Sequence, residues 1–247
     1  MHSKPVWRLI PLLDAPGEVQ MAIDRWLFSQ HQLGQHPPTL RFYTWSPPAI
    51  SLGYHQREYP EFWQNLSWQS QKLDVVRRPT GGRAVLHQGD LTYAVVTSGM
   101  RGSRLQIYQE ICEFLIQGWR SLGVELDYGT SGRGYIHNPN CFGTATGADL
   151  VLLDQTKLIG SAQLRRGEAV LQHGSIRLSP DADLFKQVFG TESFTTAQLP
   201  QNLCREGVMS ALIAAASDRF SMQLEVQSLS QSEWDDISAQ PTLDKLG

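Results

Sequence analysis

The spacing of apolar residues divides the chain into alternating helical and extended stretches. Val19, Ala22, Ile23, Trp26 and Leu27 share one face of a helix over residues 17–30, with Asp14-Ala-Pro16 just ahead of it as a start signal. The most regular helical stretch is 104–122, where Ile107, Ile111, Phe114, Leu115, Gly118, Trp119 and Leu122 recur every three or four positions. Apolar runs at Leu40–Trp45 and Ala49–Tyr54, parted by Ser46-Pro-Pro48, read as strands, as do Leu73–Arg77 and Leu91–Thr97. Pro60 opens a short helix over Glu61–Gln71. Leu150–Leu153, Leu158–Leu164 and Ala169–Leu178 form a meander, broken at Asp154-Gln-Thr156 and at Arg165-Arg-Gly-Glu168. A helix over Arg205–Phe220, a strand over Met222–Leu229 and a last helix near Ser232–Ser238 complete the pattern. This succession predicts an α+β or α/β fold. One domain is expected over 1–247, with the residues after about 200 as a small C-terminal extension.

Composition narrows the class. Hydrophobic residues make up 41% and charged ones 18%, enough apolar mass for a sizeable core and unlike a disordered chain. No apolar run approaches the ~18 residues of a membrane span, and Met1–Arg8 lacks the apolar segment of a secretory leader. A cytoplasmic protein without membrane contact is the expectation. The net charge of −3 argues against nucleic acid as a partner, because phosphate binding calls for a basic footprint. Cys112, Cys141 and Cys204 are odd in number and far apart, which gives neither a disulfide framework nor a CxxC metal site. The histidines show no HxxxH or HExxH spacing, so no metal is expected.

Two stretches carry candidate chemistry. The first runs from Val76 through Arg77, Arg78, Gly81, Gly82 and Arg83 to His87, then Asp90-Leu-Thr-Tyr93. A Gly-Gly pair lets backbone N–H groups approach a carboxylate, thioester carbonyl or phosphate, and arginines add charge around it. A plain hairpin turn with solvated arginines fits the spacing equally well. Neither GxxxxGK[ST] nor GxGxxG is present. The second stretch joins Asn140-Cys-Phe142, Asp149-Leu150, Lys157-Leu-Ile-Gly-Ser-Ala-Gln163 and Leu171-Gln-His-Gly-Ser-Ile176. Turn residues precede Cys141, and a nearby lysine favours a reactive thiolate. A free cysteine is more often a small buried hydrophobe, so both readings of Cys141 stand on residue chemistry alone. Cys112, on the core face of its helix, and Cys204 read as structural. His87 and His173 fit either packing or orienting a ligand.

In order and spacing, these blocks resemble the lipoate–protein ligase and octanoyltransferase family. They are Arg41-Phe-Tyr-Thr-Trp-Ser-Pro47 with Ser51-Leu-Gly-Tyr54, Arg77-Arg-Pro-Thr-Gly-Gly-Arg-Ala-Val85, Asp90-Leu-Thr-Tyr93, Lys157–Gln163 and Leu171–Ile176. Cys141-Phe142 upstream of Lys157 is similar to the cysteine-dependent octanoyltransferase branch. The resemblance implies a catalytic domain of the biotin/lipoate protein ligase type, with a mixed, mainly antiparallel sheet and packed helices. It implies octanoyl transfer from acyl carrier protein to a lysine of a lipoyl domain, of a glycine-cleavage H protein or a 2-oxoacid dehydrogenase E2, with no cofactor. Cys141 becomes the nucleophile and Lys157 its activating cation. Arg77, Arg78, Gly81, Gly82, Arg83, Ala84, Val85, His87, Gly160, Ala162, His173 and Gly174 hold the acyl group. An ATP- and magnesium-dependent lipoate ligase is the alternative enzyme, and a non-catalytic acyl-binding protein of the same fold is the alternative outside catalysis.

Overall fold

Three of the predicted strands, at the middle of the chain and in its meander, pair side by side and form the centre of a large sheet. The computed structural model describes residues 4–129, 149–190 and 197–241. The elements begin with β1 (Val6–Ala15), α1 (Gly17–Gln32), β2 (Thr39–Trp45) and β3 (Ala49–Leu52). After a 3₁₀ turn at Glu61–Asn65 come β4 (Ser67–Trp68), β5 (Gln71–Lys72), β6 (Asp74–Arg77), β7 (Val85–His87) and β8 (Asp90–Thr97). Then follow α2 (Arg104–Ser121), β9 (Asp127–Tyr128), β10 (Leu150–Val151), β11 (Lys157–Arg166) and β12 (Ala169–Arg177). The chain continues through α3 (Ala182–Phe189), α4 (Arg205–Arg219), β13 (Gln223–Val226) and α5 (Gln231–Ser238).

Among the described residues, eight strands make the main sheet in the order β13-β1-β2-β8-β12-β11-β10-β9, and β6-β3-β7 make a second sheet. Within the main sheet β1 runs parallel to β2 and β13, and the other neighbours are antiparallel. The expected α+β architecture with a mixed, mainly antiparallel sheet is what forms. Strand alternation separates the two faces. Leu40, Phe42, Tyr93, Val95, Val170 and Ile176 join Ile107, Ile111, Phe114 and Trp119 of α2 and Val208 and Leu212 of α4. Tyr43, Ala94, Val96 and Leu171 face the other way, against Met21, Ile23, Leu27 and Phe28 of α1.

Helix ends follow their local sequence. Ser103 caps α2 in a reciprocal box with Gln106. The first N–H of α1 is accepted by Asp74 Oδ2 at 2.9 Å, which ties that helix to the second sheet. Residues 61–71 depart from the predicted helix. Only Glu61–Asn65 coil, and Gln69 and Ser70, both at positive φ, turn β4 back onto β5. Burial of Trp63, whose Nε1 donates to Val188 O at 2.9 Å, stops a continuous helix there. β1 escapes the alternation rule because most of its first half is buried and Pro11 interrupts its register with β2.

Candidate active site

The second sheet and its Gly-Gly loop lie over the α1 side of the main sheet and roof a cavity there. Its enclosed volume is about 50 Å³, and it opens to solvent at its mouth. Met21, Tyr43, Trp45 and Val85 form the apolar wall. Arg78, Gly81 and Gly82 come from the loop, and Gly160, Ser161, Ala162, His173, Gly174 and Ser175 from β11 and β12. Ser51, His87 and Thr92 complete the lining. Of the predicted substrate-binding positions, Arg77, Arg83 and Ala84 lie outside it.

The Gly-Gly segment is a built loop, which rejects the reading as a plain turn with solvated arginines. Tyr54 N donates to Thr80 O at 2.8 Å, and Arg78 N to Leu52 O at 3.0 Å. A Cβ on Gly53 would stand 1.8 Å from Gly82 O, and Gly82 itself has φ +96°, so the two segments meet backbone to backbone. Arg78 is 6% exposed and gives Nη1 to Ser51 O at 2.7 Å and Nη2 to Arg83 O at 2.7 Å. Arg77 Nη1 reaches Gly53 O at 3.0 Å and Gln56 O at 2.7 Å. These contacts set the loop's shape and leave its apolar and glycine surface facing the cavity. Gly174 is small for a similar reason. A Cβ there would meet Ser161 Oγ at 2.4 Å and Gly160 O at 2.8 Å.

Lys157 opens β11 through a bulge. Leu150 pairs with Ile159 and Val151 with Lys157, leaving Leu158 as the extra residue. Leu158 and Ile159 both enter the core under α2, and Lys157 is buried without being among the residues that line the cavity. Its Nζ lies 2.8 Å from Asp149 Oδ1, and both side chains are buried. The carboxylate offsets the desolvation of the ammonium. Asp149 received no role from the sequence, although it stands in the motif just before β10.

Both histidines are hydrogen-bonded at each ring nitrogen and also line the cavity. His173 Nδ1 lies 2.7 Å from Asp24 Oδ2 and its Nε2 2.6 Å from Thr80 Oγ1. His87 Nδ1 lies 2.8 Å from Asp90 Oδ2 and its Nε2 2.8 Å from Ser51 Oγ. Burial alone would raise the Asp24 carboxyl, but Arg41, His173 and Tyr43 together hold it below its ordinary range. Asp24 was absent from the sequence reading, and Ser51 stood there in a motif without a role. One signal was available: Gln20 and Asp24, four apart, are polar on the apolar face of α1. Burial pushes the Cys112 thiol up to about 12, which makes it inert. Cys204 is exposed and accepts Gly207 N at the start of α4. Cys141 lies outside the described residues. Among the described residues no three His, Cys, Asp or Glu side chains gather to hold a metal ion.

A glycine-lined apolar cavity over this sheet, with a buried lysine–carboxylate pair at the start of β11, goes with a class of proteins. The chain belongs to the lipoyl protein ligase A/B catalytic domain family, which it matches over residues 16–231. More particularly, it is similar to curated octanoyltransferases. LipM of Kyrpidia tusciae is 40% identical over 188 residues, 72% of this chain and 68% of the relative. LipM of Halalkalibacterium halodurans is 36% identical over 198 residues, 76% of this chain and 71% of the relative. Among solved structures, lipoate-protein ligase A bound with ATP aligns at TM-score 0.77 and 23% identity, covering 99% of this chain and 95% of that one. A bi-partite lipoate protein ligase of Thermoplasma acidophilum aligns at TM-score 0.76 and 22% identity, covering 99% and 93%. At that identity the likeness speaks for the fold, which is that of the lipoate-protein ligases.

Proposed function

We infer that this chain is an octanoyltransferase of protein lipoylation, acting on lipoyl domains. The apolar cavity over Gly160 and Ala162, in a chain whose curated relatives are LipM octanoyltransferases, carries the reading. Each methylene buried there contributes ~0.8 kcal/mol, so an eight-carbon chain supplies much of its own binding. The donor we propose is octanoyl-acyl carrier protein, whose thioester is already activated and needs no ATP. Cys141 attacks its carbonyl, and the carrier thiol leaves with the electron pair of the broken C–S bond. Thiol exchange is nearly even in free energy. The lysine of the lipoyl domain then attacks the acyl-enzyme, and amide formation draws the reaction forward. Lys157 polarises the acyl carbonyl. Lipoyl domains accompany lipoate ligase elsewhere in the fold: the Thermoplasma acidophilum ligase was analysed with its E2 lipoyl domain.

Intact mass after incubation with octanoyl-acyl carrier protein, without ATP, is the test. A hydroxylamine-sensitive octanoyl adduct is expected on the wild-type protein and absent from Cys141→Ala. Cys112→Ala and Cys204→Ala retain it. Product that forms only with ATP points to a ligase, and neither adduct nor product points to a binding protein. Full transfer by Cys141→Ala sinks the covalent mechanism.

A further inference from the structure

Ser51 and His87 line the cavity with Asp90 behind the imidazole, and the acyl transfer described above uses none of them. They are 1%, 4% and 7% exposed. Asp90 Oδ2 accepts from the hydroxyls of Thr92 at 3.1 Å and Ser175 at 2.7 Å, and so faces His87 as an acceptor. The imidazole proton therefore sits on Nδ1, and the Nε2 lone pair receives the Ser51 hydroxyl. Stacking on Trp45, at 3.8 Å between ring centroids, fixes the plane of the imidazole. The other hydroxyl–imidazole–carboxylate line is built differently. Its Asp24 is also in an ion pair with Arg41 at 3.2 Å, and its Thr80 does not line the cavity, which makes it a brace.

Amide formation needs a place for a proton. The acceptor amine sheds one as its C–N bond forms and the thioester C–S bond breaks. Lys157 is already engaged with Asp149 at 2.8 Å. We propose that Ser51 and His87 form a proton relay for the acceptor lysine, with Asp90 fixing the tautomer of His87. The inference rests on the octanoyl-transfer reading. The amine proton passes to Ser51 Oγ as the Ser51 proton passes to His87 Nε2, and the electron pair of the C–S bond leaves with sulfur. The imidazolium then returns its proton to the departing thiolate. Three charged or titratable groups face the ring: Asp90 at the start of β8, Arg78 in the Gly-Gly loop and His173 on β12. Burial pushes the imidazole below its ordinary range, Asp90 opposes this, and Arg78 and His173 add to it. The ring is thus an available base at neutral pH.

Single-turnover transfer to two acceptors tests the relay: the strongly basic lysine of a lipoyl domain, and hydroxylamine, a weakly basic nitrogen whose adduct is acidic enough to shed its proton to water without a protein base. Ser51→Ala and His87→Gln are expected to lower the lysine-to-hydroxylamine rate ratio on the order of 10²-fold, a typical general-base contribution. His87→Gln also flattens the acid limb of the pH–rate profile for lysine. Asp90→Asn lowers the same ratio by inverting the tautomer. Thermal midpoints confirm that each variant is folded, and Ser51→Ala carries the test alone if the others are not. Equal losses with both acceptors leave the ratio unchanged and overturn the relay, making the line a structural brace. An octanoyl ester mapped to Ser51 overturns it too, by making that hydroxyl the nucleophile. A wild-type protein that transfers octanoate to neither acceptor sinks the parent reading, and the relay with it.

Discussion

Asp24 gathers three elements on one carboxylate. Oδ1 receives Arg41 Nη1 at 3.2 Å, and Oδ2 receives Tyr43 OH at 2.9 Å and His173 Nδ1 at 2.7 Å. Asp24→Asn keeps the shape and removes the charge, leaving Arg41 buried without its counterion. A loss of about 3–5 kcal/mol is expected in denaturant unfolding, the cost of breaking a buried pair. The folded Asp24 carboxyl lies below its ordinary 3.8. Its contribution to stability is therefore complete above about pH 4 and drains away as pH falls through the folded value. The acid limb of the stability curve should be flatter in the Asn variant. At Lys157 the expected effect is catalytic. Lys157→Arg retains charge but replaces a compact ammonium with a planar fork, so kcat should fall on the order of 10²–10³-fold, as when an oxyanion donor is removed. Near-normal steady-state rates would mean that bulk positive charge suffices.

The hairpin of β11 and β12 gives the cavity its floor, and its small residues decide how closely a ligand approaches. Gly174→Ala forces a Cβ onto Ser161 Oγ and the Gly160 carbonyl, so overpacking of about 1–3 kcal/mol is expected, together with slower acyl transfer. A thermal midpoint and an octanoyl-transfer rate check the two effects. The hairpin was legible in the sequence because both strands carry long apolar runs with a Gly-Glu turn between them. Other elements were hidden for physical reasons. β1 is largely buried in its first half and broken by a proline, so it has no period-2 signal. β7 is three residues long, and α3 is eight. The loop glycines and both cavity histidines could be read from motif order. Asp24 could not, and Ser51 and Asp149 stood in motifs that gave them no role, because the importance of all three lies in partners 149, 36 and 8 residues away in the chain.

Across the whole molecule, the first and last described elements are fastened together. Arg8 reaches Glu233 by Nη1 at 2.6 Å and Nη2 at 2.9 Å, and also donates to Gln227 O and Ser228 O. Burial works against the charged Glu233, but Arg8 and the Ser230 N–H outweigh it and hold the carboxyl at about 2, from an ordinary 4.5. That contribution is complete above pH 4.5 and lost as pH falls through about 2. The protection of the α5 amides, measured as exchange relative to the intrinsic rate at each pH, should fall over that window, and in Glu233→Gln it should already be low at neutral pH without the acid step. β13 lies outermost on the same side, pairing Val6–Leu9 with Gln223–Val226. During synthesis β1 therefore holds one flank bare until β13 has left the ribosome. That bare flank is a template for pairing with another chain. Nascent chains halted before residue 223 should bind chaperones and aggregate, whereas those released at full length close the edge themselves.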